Sequence, residues 1–249
     1  MYIIRYFMQN NFEKVKNIPA NKFPCNILII PDGNGRWAKK KNKNVTYGHK
    51  VAADKMLNII RDLKTIENIK TLTLWGFSSD NWKRNKKEIN GIMRILDLMI
   101  NKFSKELIED KVRFIHIGRK DRIPKNLLLS INKIEKLTEE FNRKILSIAI
   151  DFGGEDQIIR MLSLAKNLNK DVEINKEFLE SIKDGHGMIP TSDLIIRTSG
   201  EIRISDIGWF NGKQTELYFE SKYFPDIETN DILKAILDFS LRERRMGGR

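Results

Sequence analysis

The chain has 249 residues, 41% hydrophobic and 31% charged, with 45 Lys and Arg against 33 Asp and Glu, a formal charge of +12. This balance excludes a disordered or low-complexity chain, and the length is that of one large domain or two small ones. Its single cysteine (Cys25) excludes an internal disulfide framework, its three histidines (His49, His116, His186) lack zinc-ligand spacing, and no apolar run approaches the ~20 residues of a membrane span. The basic excess points to anionic partners without choosing among phosphates, nucleic acid and an acidic membrane face. A reduced, cytoplasmic setting is the expectation.

Residues 1–22 read as an N-terminal arm or extra helix, with no secretory h-region or cleavage site. Residues 23–249 read as one folded domain. Asn26–Ile30 is a buried strand, followed by a Gly-bearing turn and a helix from about Arg36. Gly48–Leu63 is a helix with Val51, Met56, Ile59, Ile60 and Leu63 toward one face. Lys70–Trp75 is a strand. Lys86–Leu107 is a long helix carrying Ile89, Met93, Leu96, Ile100, Phe103 and Leu107 at steps of three or four. Val112–Ile117 is a strand, Pro124–Phe141 a helix with Pro in its first turn, and Ile145–Ile150 a strand. Two helices follow, Glu155–Asn167 and Lys176–Ile182, then strands Asp193–Arg197 and Thr215–Phe219 and a last helix, Asn230–Leu241. The alternation predicts an α/β fold with a mostly parallel six-stranded sheet flanked by helices. In such sheets ligands bind beyond the carboxyl ends of the strands.

The polar segments fall there. After the first strand comes Asp32-Gly33-Asn34-Gly35-Arg36-Trp37, a turn into a helix that can offer backbone N–H groups and a guanidinium to an anion. Asp32 is placed to hold Mg²⁺ beside a diphosphate. The plain alternative is a tight turn, since Asp-Gly and Asn-Gly are common turn pairs. After the second predicted strand, Ser78, Ser79, Asp80, Asn81, Trp82 and Arg84 gather hydroxyls, an amide and a cation among aromatics, with simple packing of Trp82 as the alternative. Arg197, Arg203 and Ser205 on one loop form a candidate second phosphate cradle, and a solvated charged loop is the alternative. Glu216 is a carboxylate among strand formers, facing a partner, a metal or solvent. The basic end, Arg242 to Arg249, could be a solvated tail. Taken together, these segments describe a site for polyphosphate with Mg²⁺.

In this order, DGNGRWAKK (residues 32–40), YGHK (47–50), FSSDNWKR (77–84), IRTSGEIRIS (196–205), TELYF (215–219) and RERRMGG (242–248) closely resemble the cis-prenyltransferase family, the undecaprenyl diphosphate synthase-like enzymes. The resemblance runs from about residue 26 to the end. It implies a single-domain homodimer with a hydrophobic tunnel, of which the Lys86–Leu107 stripe would be a wall. The carboxylate clusters of the all-helical prenyltransferases are absent. It also implies that Asp32 holds Mg²⁺ and assists departure of the allylic diphosphate. Gly33, Asn34, Gly35 and Arg36 would bind that group over Trp37, with His49 donating to it; a lone His at a helix start is otherwise a packing residue. Ser78 and Asn81 would help remove the proton of the C5 substrate. Ser79, Asp80, Trp82 and Arg84 would bind substrate or shape the site. Arg197, Arg203, Ile204 and Ser205 would bind the diphosphate of isopentenyl or dimethylallyl diphosphate, and Glu216 would complete the metal site. Arg242, Arg244 and Arg245 would close over a partner's site. Contact with a membrane surface would come through the product. Nucleic-acid binding is not expected, as no helix-turn-helix, RNP or zinc signature is present.

Several positions depart from the family pattern. Pro31 replaces Met, and Val45 stands where many members carry an Arg for the allylic diphosphate. Asp151-Phe152-Gly153-Gly154-Glu155 replaces NYGGR, and residues 206–214 are more polar and Gly-richer than the usual apolar stretch. Prenyl transfer with an altered product, either short-chain cis or irregular lavandulyl-type coupling, is the expectation. Ordinary long-chain synthesis and a non-catalytic partner subunit are the alternatives.

Overall fold

Runs of Ile and Leu such as Asn26–Ile30 and Leu194–Arg197 build central strands, as expected where both faces of a parallel sheet are covered. In the computed structural model, which describes residues 10–167, 172–207 and 214–245, a helix α1 occupies residues 10–16. It is followed by β1 (Asn26–Ile30), α2 (Asn34–Lys40), α3 (Val45–Leu63), β2 (Thr71–Ser78), α4 (Lys86–Glu109), β3 (Val112–Ile117), α5 (Lys125–Thr138), β4 (Lys144–Phe152), α6 (Gly154–Lys166), α7 (Lys176–Ile182), β5 (Leu194–Arg197), β6 (Glu216–Phe219) and α8 (Thr229–Leu241). The strands form one six-stranded sheet in the order β3-β4-β2-β1-β5-β6, parallel throughout where the sequence predicts a mostly parallel one. The fold is a single α/β domain, and its internal contacts cluster into two compact units.

The first unit contains β1, α2, α3, β5, β6 and α8. Ile27, Leu28 and Ile29 of β1 are all but fully buried. β5 runs parallel to β1 with Ile30 beside Arg197, and β6 runs parallel to β5 with Arg197 beside Phe219. The carboxyl ends of β1 and β5 are thus level. Helix α3 starts three residues earlier than its apolar pattern predicts, because the Asn44 side chain accepts the Tyr47 N–H at 2.8 Å and caps it. Its buried Met56, Leu57, Ile59, Ile60 and Leu63, with Ile232, Leu233, Ile236 and Phe239 of α8, supply the core. Each such side chain contributes ~1.5–3 kcal/mol.

The second unit contains most of β2 with α4, β3, α5, β4, α6 and α7. β3 and β4 pair in parallel from Val112–Lys144 to Ile117–Ala149. Strand β2 continues to Ser78, three residues past the predicted end, since Phe77 is buried at 1% exposure and holds the strand in the sheet. A short 3-10 turn, Ser79–Lys83, then leads to α4, capped by Asn85 accepting the Glu88 N–H at 2.8 Å. Pro124 caps α5 rather than occupying its first turn. Residues 168–171, 208–213 and 246–249, with the N-terminal nine, lie outside the described residues. So do most of the 206–214 departure and the end of the basic tail.

Candidate active site

The first unit brings Asp32, Arg36 and Arg197 together. Level strand ends put the Pro31–Gly33 loop beside the Thr198–Glu201 loop, and one hydroxyl joins them. Thr198 Oγ1 accepts the Asp32 N–H at 2.9 Å and donates to the Asp32 carbonyl at 2.9 Å. Gly33 begins α2 at φ +93°, and a Cβ there would meet Tyr223 Cδ1 at 2.5 Å and Ser199 Cβ at 2.8 Å, so only glycine fits. Its N–H donates to Asp32 Oδ1 at 2.6 Å. Arg197, a buried cation, donates to Asp32 Oδ2 at 2.9 Å. The Arg36 guanidinium donates to Asp32 Oδ1 at 3.3 Å, Ser199 Oγ at 2.8 Å and Glu201 Oε1 at 2.5 Å. It also lies over the Tyr223 ring, 5.7 Å from its centroid. Burial opposes ionisation of Asp32, but the Arg197 and Gly33 hydrogen bonds and the charges of Arg197 and Arg36 outweigh it and hold its carboxyl below the ordinary range.

Supporting residues surround this cradle. Asn34 Nδ2 donates to the Pro31 carbonyl at 3.1 Å, while its buried Oδ1 has no hydrogen-bond partner among the described residues. Trp37 is buried, donates to Asp226 at 2.7 Å, and stacks on Tyr47 at 6.1 Å. Ser199 and Gly200 take positive φ angles of 74° and 71°, and their N–H groups are held by the carbonyls of Lys222 and Glu220. Gly35 faces Val45, whose Cγ1 would lie 3.3 Å from an added Cβ. His49 lies one turn into α3, half-buried. Glu216 is not joined to this cluster. It opens β6 beside Leu194, at the far end of β5 from Arg197, about 10 Å along the strand. Its carboxylate accepts from Arg242 at 2.7 Å. Arg244 donates to the Asn21 carbonyl at 3.4 Å, and Arg245 pairs with Glu243.

The second unit holds the other candidate residues. Asn81 Oδ1 accepts the Ser78 N–H and Ser78 Oγ accepts the Asp80 N–H, each at 3.2 Å, a capping box that shapes the turn. Asp80 pairs with Lys83, and Arg84 with Glu88. Arg203, Ile204 and Ser205 belong to this unit, whereas Arg197 belongs to the first. Ser205 takes φ +53°, and Asp206 next to it accepts the Glu155 N–H at the start of α6. Several groups on which these arrangements rest were not singled out by sequence: Thr198, Ser199, Glu201, Tyr223 and Asp226. Thr198, Ser199 and Glu201 stood within the quoted RTSGEIRIS motif, while Tyr223 and Asp226 carried no local signal. Among the described residues, no three His, Cys, Asp or Glu side chains cluster as a closed metal site, and no helix is long and apolar enough to cross a membrane.

Proteins of known type resemble the chain over most of its length. The Prenyltransf family model, undecaprenyl diphosphate synthase, matches residues 30–247. An isoprenyl transferase of Aquifex pyrophilus is 38% identical over 226 residues, spanning 91% of this chain and 96% of that protein. The tritrans,polycis-undecaprenyl-diphosphate synthase (geranylgeranyl-diphosphate specific) of Pyrococcus abyssi is 35% identical, spanning 94% of this chain and 90% of that protein. The crystal structure of lavandulyl diphosphate synthase from Lavandula x intermedia in complex with dimethylallyl diphosphate is similar with a TM-score of 0.84 and 29% identity, covering 92% of this chain and 100% of that one. The chain therefore belongs to the undecaprenyl diphosphate synthase family of cis-prenyltransferases and is a prenyltransferase of isoprenoid biosynthesis.

Proposed function

We propose that the protein joins an allylic prenyl diphosphate to a C5 isoprenyl diphosphate, isopentenyl or dimethylallyl, and releases diphosphate, giving a non-standard product: a short cis-prenyl chain or an irregularly coupled one. The observation that carries the reading is the Asp32–Arg36–Arg197 cluster on two level loops, a fixed set of donors around one carboxylate. Arg36 and the α2 N-terminus would grip the allylic diphosphate, with Gly33, Asn34 and Gly35 giving backbone access and His49 a further donor. Arg197, with Arg203, Ile204 and Ser205, would receive the second diphosphate. Ser78 and Asn81 would help remove the proton lost from the C5 substrate by hydrogen bonding, and Ser79, Asp80, Trp82 and Arg84 would bind that substrate or shape its site.

The residues present fit Mg²⁺. That ion is commonly held by one or two carboxylates plus phosphate oxygens and water rather than by a closed cage, and Asp32 is ionised and partly exposed at the edge of a cationic cradle. Asp32 would hold Mg²⁺, which supplies charge neutralisation on the departing diphosphate. Glu216 lies at the far end of β5 from the cluster, so in the proposed homodimer the second carboxylate would come from the other copy's Glu216. An apolar tunnel, with the α4 face as one wall, would keep water from the cationic carbon. We place the enzyme in the cytoplasm, with membrane contact through its product and no nucleic-acid partner.

The test is incubation with Mg²⁺ and dimethylallyl, geranyl or farnesyl diphosphate, with and without isopentenyl diphosphate, followed by mass spectrometry of the dephosphorylated alcohols. Short or branched alcohols are expected. Long polyprenols would favour the ordinary reading that the Pyrococcus abyssi relative represents, and no alcohol from the isolated chain would leave the partner-subunit reading.

A further inference from the structure

We propose that Asp151 is a positioning residue for prenyl transfer, setting Trp82 and with it the Ser78–Lys83 turn; this rests on the function proposed above. Asp151 closes β4 at φ +55°, a left-handed conformation uncommon for a non-glycine residue. Its carboxylate is fully buried, an arrangement that costs free energy unless the group is paired and hydrogen-bonded. Both oxygens are engaged. Oδ1 accepts the Trp82 indole N–H at 2.8 Å and an Arg122 N–H at 2.5 Å, and Oδ2 accepts the Arg122 Nε–H at 2.8 Å. The Asp151 carbonyl accepts the Arg119 N–H at 3.0 Å.

One buried anion thus ties together the turn after β2 (Trp82), the loop after β3 (Arg119 and Arg122) and the end of β4 itself. These are three neighbouring strands of the second unit, and their carboxyl ends are where such sheets bind ligands. The Ser78–Asn81 hydrogen bonds shape the turn internally but do not aim it. Aim comes from Trp82, held at its N–H by Asp151 and at its face by Phe77, edge-on at 5.2 Å and 73°. The Arg122 fork balances the buried charge, and its own side chain remains 40% exposed. An apolar residue at 151 would orphan the indole N–H and let the turn drift. Asparagine would keep an oxygen for that N–H and give up half of the fork.

The experiment uses the full-length enzyme with its best allylic substrate, isopentenyl diphosphate and Mg²⁺. Asp151→Leu should lower kcat by ~10–100-fold with KM changed less than about threefold, since misplacement affects the step more than binding. Asp151→Asn should recover most of kcat. Trp82→Phe should lower kcat on its own, and adding Asp151→Leu to it should cost little more, because the two act through one hydrogen bond. In the ¹⁵N spectrum the Trp82 indole N–H should be protected from solvent exchange in the parent and in Asp151→Asn. If Asp151→Leu does not fold, Trp82→Phe and the exchange measurement decide. Parent-like kcat in Asp151→Leu or in Trp82→Phe, no recovery in Asp151→Asn, additive losses in the double variant, or an unprotected indole in the parent would each overturn the proposal. A parent enzyme that transfers no prenyl group would sink the proposed function instead, and the exchange result would still report on the Asp151–Trp82 bond.

Discussion

The Asp32 cradle and the Ser78–Lys83 turn are both polar segments at the carboxyl ends of strands, yet they are held by opposite means. In the cradle the charges are partly open to solvent: Arg36 is 45% and Asp32 30% exposed along their side chains. The backbone around them is the rigid part, pinned by Thr198, Gly33 and the Lys222 and Glu220 carbonyls. In the turn the backbone is a short local loop, and the rigid part is a fully buried side-chain charge, Asp151. With Arg197 buried behind them, the part-exposed Arg36 and Asp32 on fixed backbone can exchange partners. A turn anchored by a buried anion can only hold its place. Binding chemistry suits the first and alignment of a reacting group suits the second.

Substitutions can break this contrast, beginning with the largest effect. Asp32→Ala should reduce turnover by ~10²–10³-fold or more, as loss of one fixed electrostatic group at a reacting centre does. Because the side chain is part-exposed on a loop, circular dichroism should show an unchanged fold. Near-normal turnover in the folded variant would refute the central role of the cradle. Arg36→Lys keeps the charge but removes the planar fork that reaches Asp32, Ser199 and Glu201 at once. KM for the allylic diphosphate should rise ~10-fold with a smaller change in kcat, measured by steady-state kinetics. Val45→Arg would place a guanidinium against Gly35 and should tighten a standard allylic diphosphate by ~1–3 kcal/mol, read by titration calorimetry. An unchanged affinity would mean that the position does not face the diphosphate.

The smallest effect concerns stability and pH. Burial lowers the pKa of His116, although the Ile150 carbonyl at 2.9 Å partly opposes it. The unfolded imidazole takes a proton near pH 6.5 while the folded one resists, so the unfolded state binds more protons below that pH. This contribution to stability is full above about pH 6.5 and declines as the pH falls below it. Melting temperature should drop by a few degrees between pH 7.5 and 5.5, and by less in His116→Gln, as calorimetry would show. Equal slopes for the two proteins would exclude His116 as the cause.

Much of the fold is legible in the sequence where periodicity and burial coincide. Asn26–Ile30, Val112–Ile117 and Lys176–Ile182 have the observed bounds. The misses have local causes. Gly76 and Ser78 look like the start of a loop, but β2 carries them because Phe77 between them is buried. Val45 precedes the predicted start of its helix at Gly48, and the cap from Asn44 explains why α3 already includes it. Asp32 and Arg197 were readable because each sits at the end of an apolar run, where a parallel sheet must present its loops, and Arg36 because it follows the glycine turn into a helix. Thr198 stood within a legible motif, but its role depends on Asp32, 166 residues away. Tyr223 and Asp226 meet the cradle only through tertiary packing and carry no local signature. Asp151 could be flagged only as an acid within a glycine-rich stretch; its burial and its hold on Trp82 require the fold.

The Arg36–Glu201 pair gives the cradle a selectivity of its own. On the function proposed above, because the guanidinium already rests on Glu201 and Asp32, an arriving anion would compete with two carboxylates rather than add to an open positive pocket. A singly charged ligand would exchange like for like and gain little, whereas a pyrophosphate, with several negative oxygens to offer Arg36, Ser199 and the α2 N-terminus together, would come out ahead. The mouth of this enzyme would thus sort visitors by valence before any isoprenoid tail is examined.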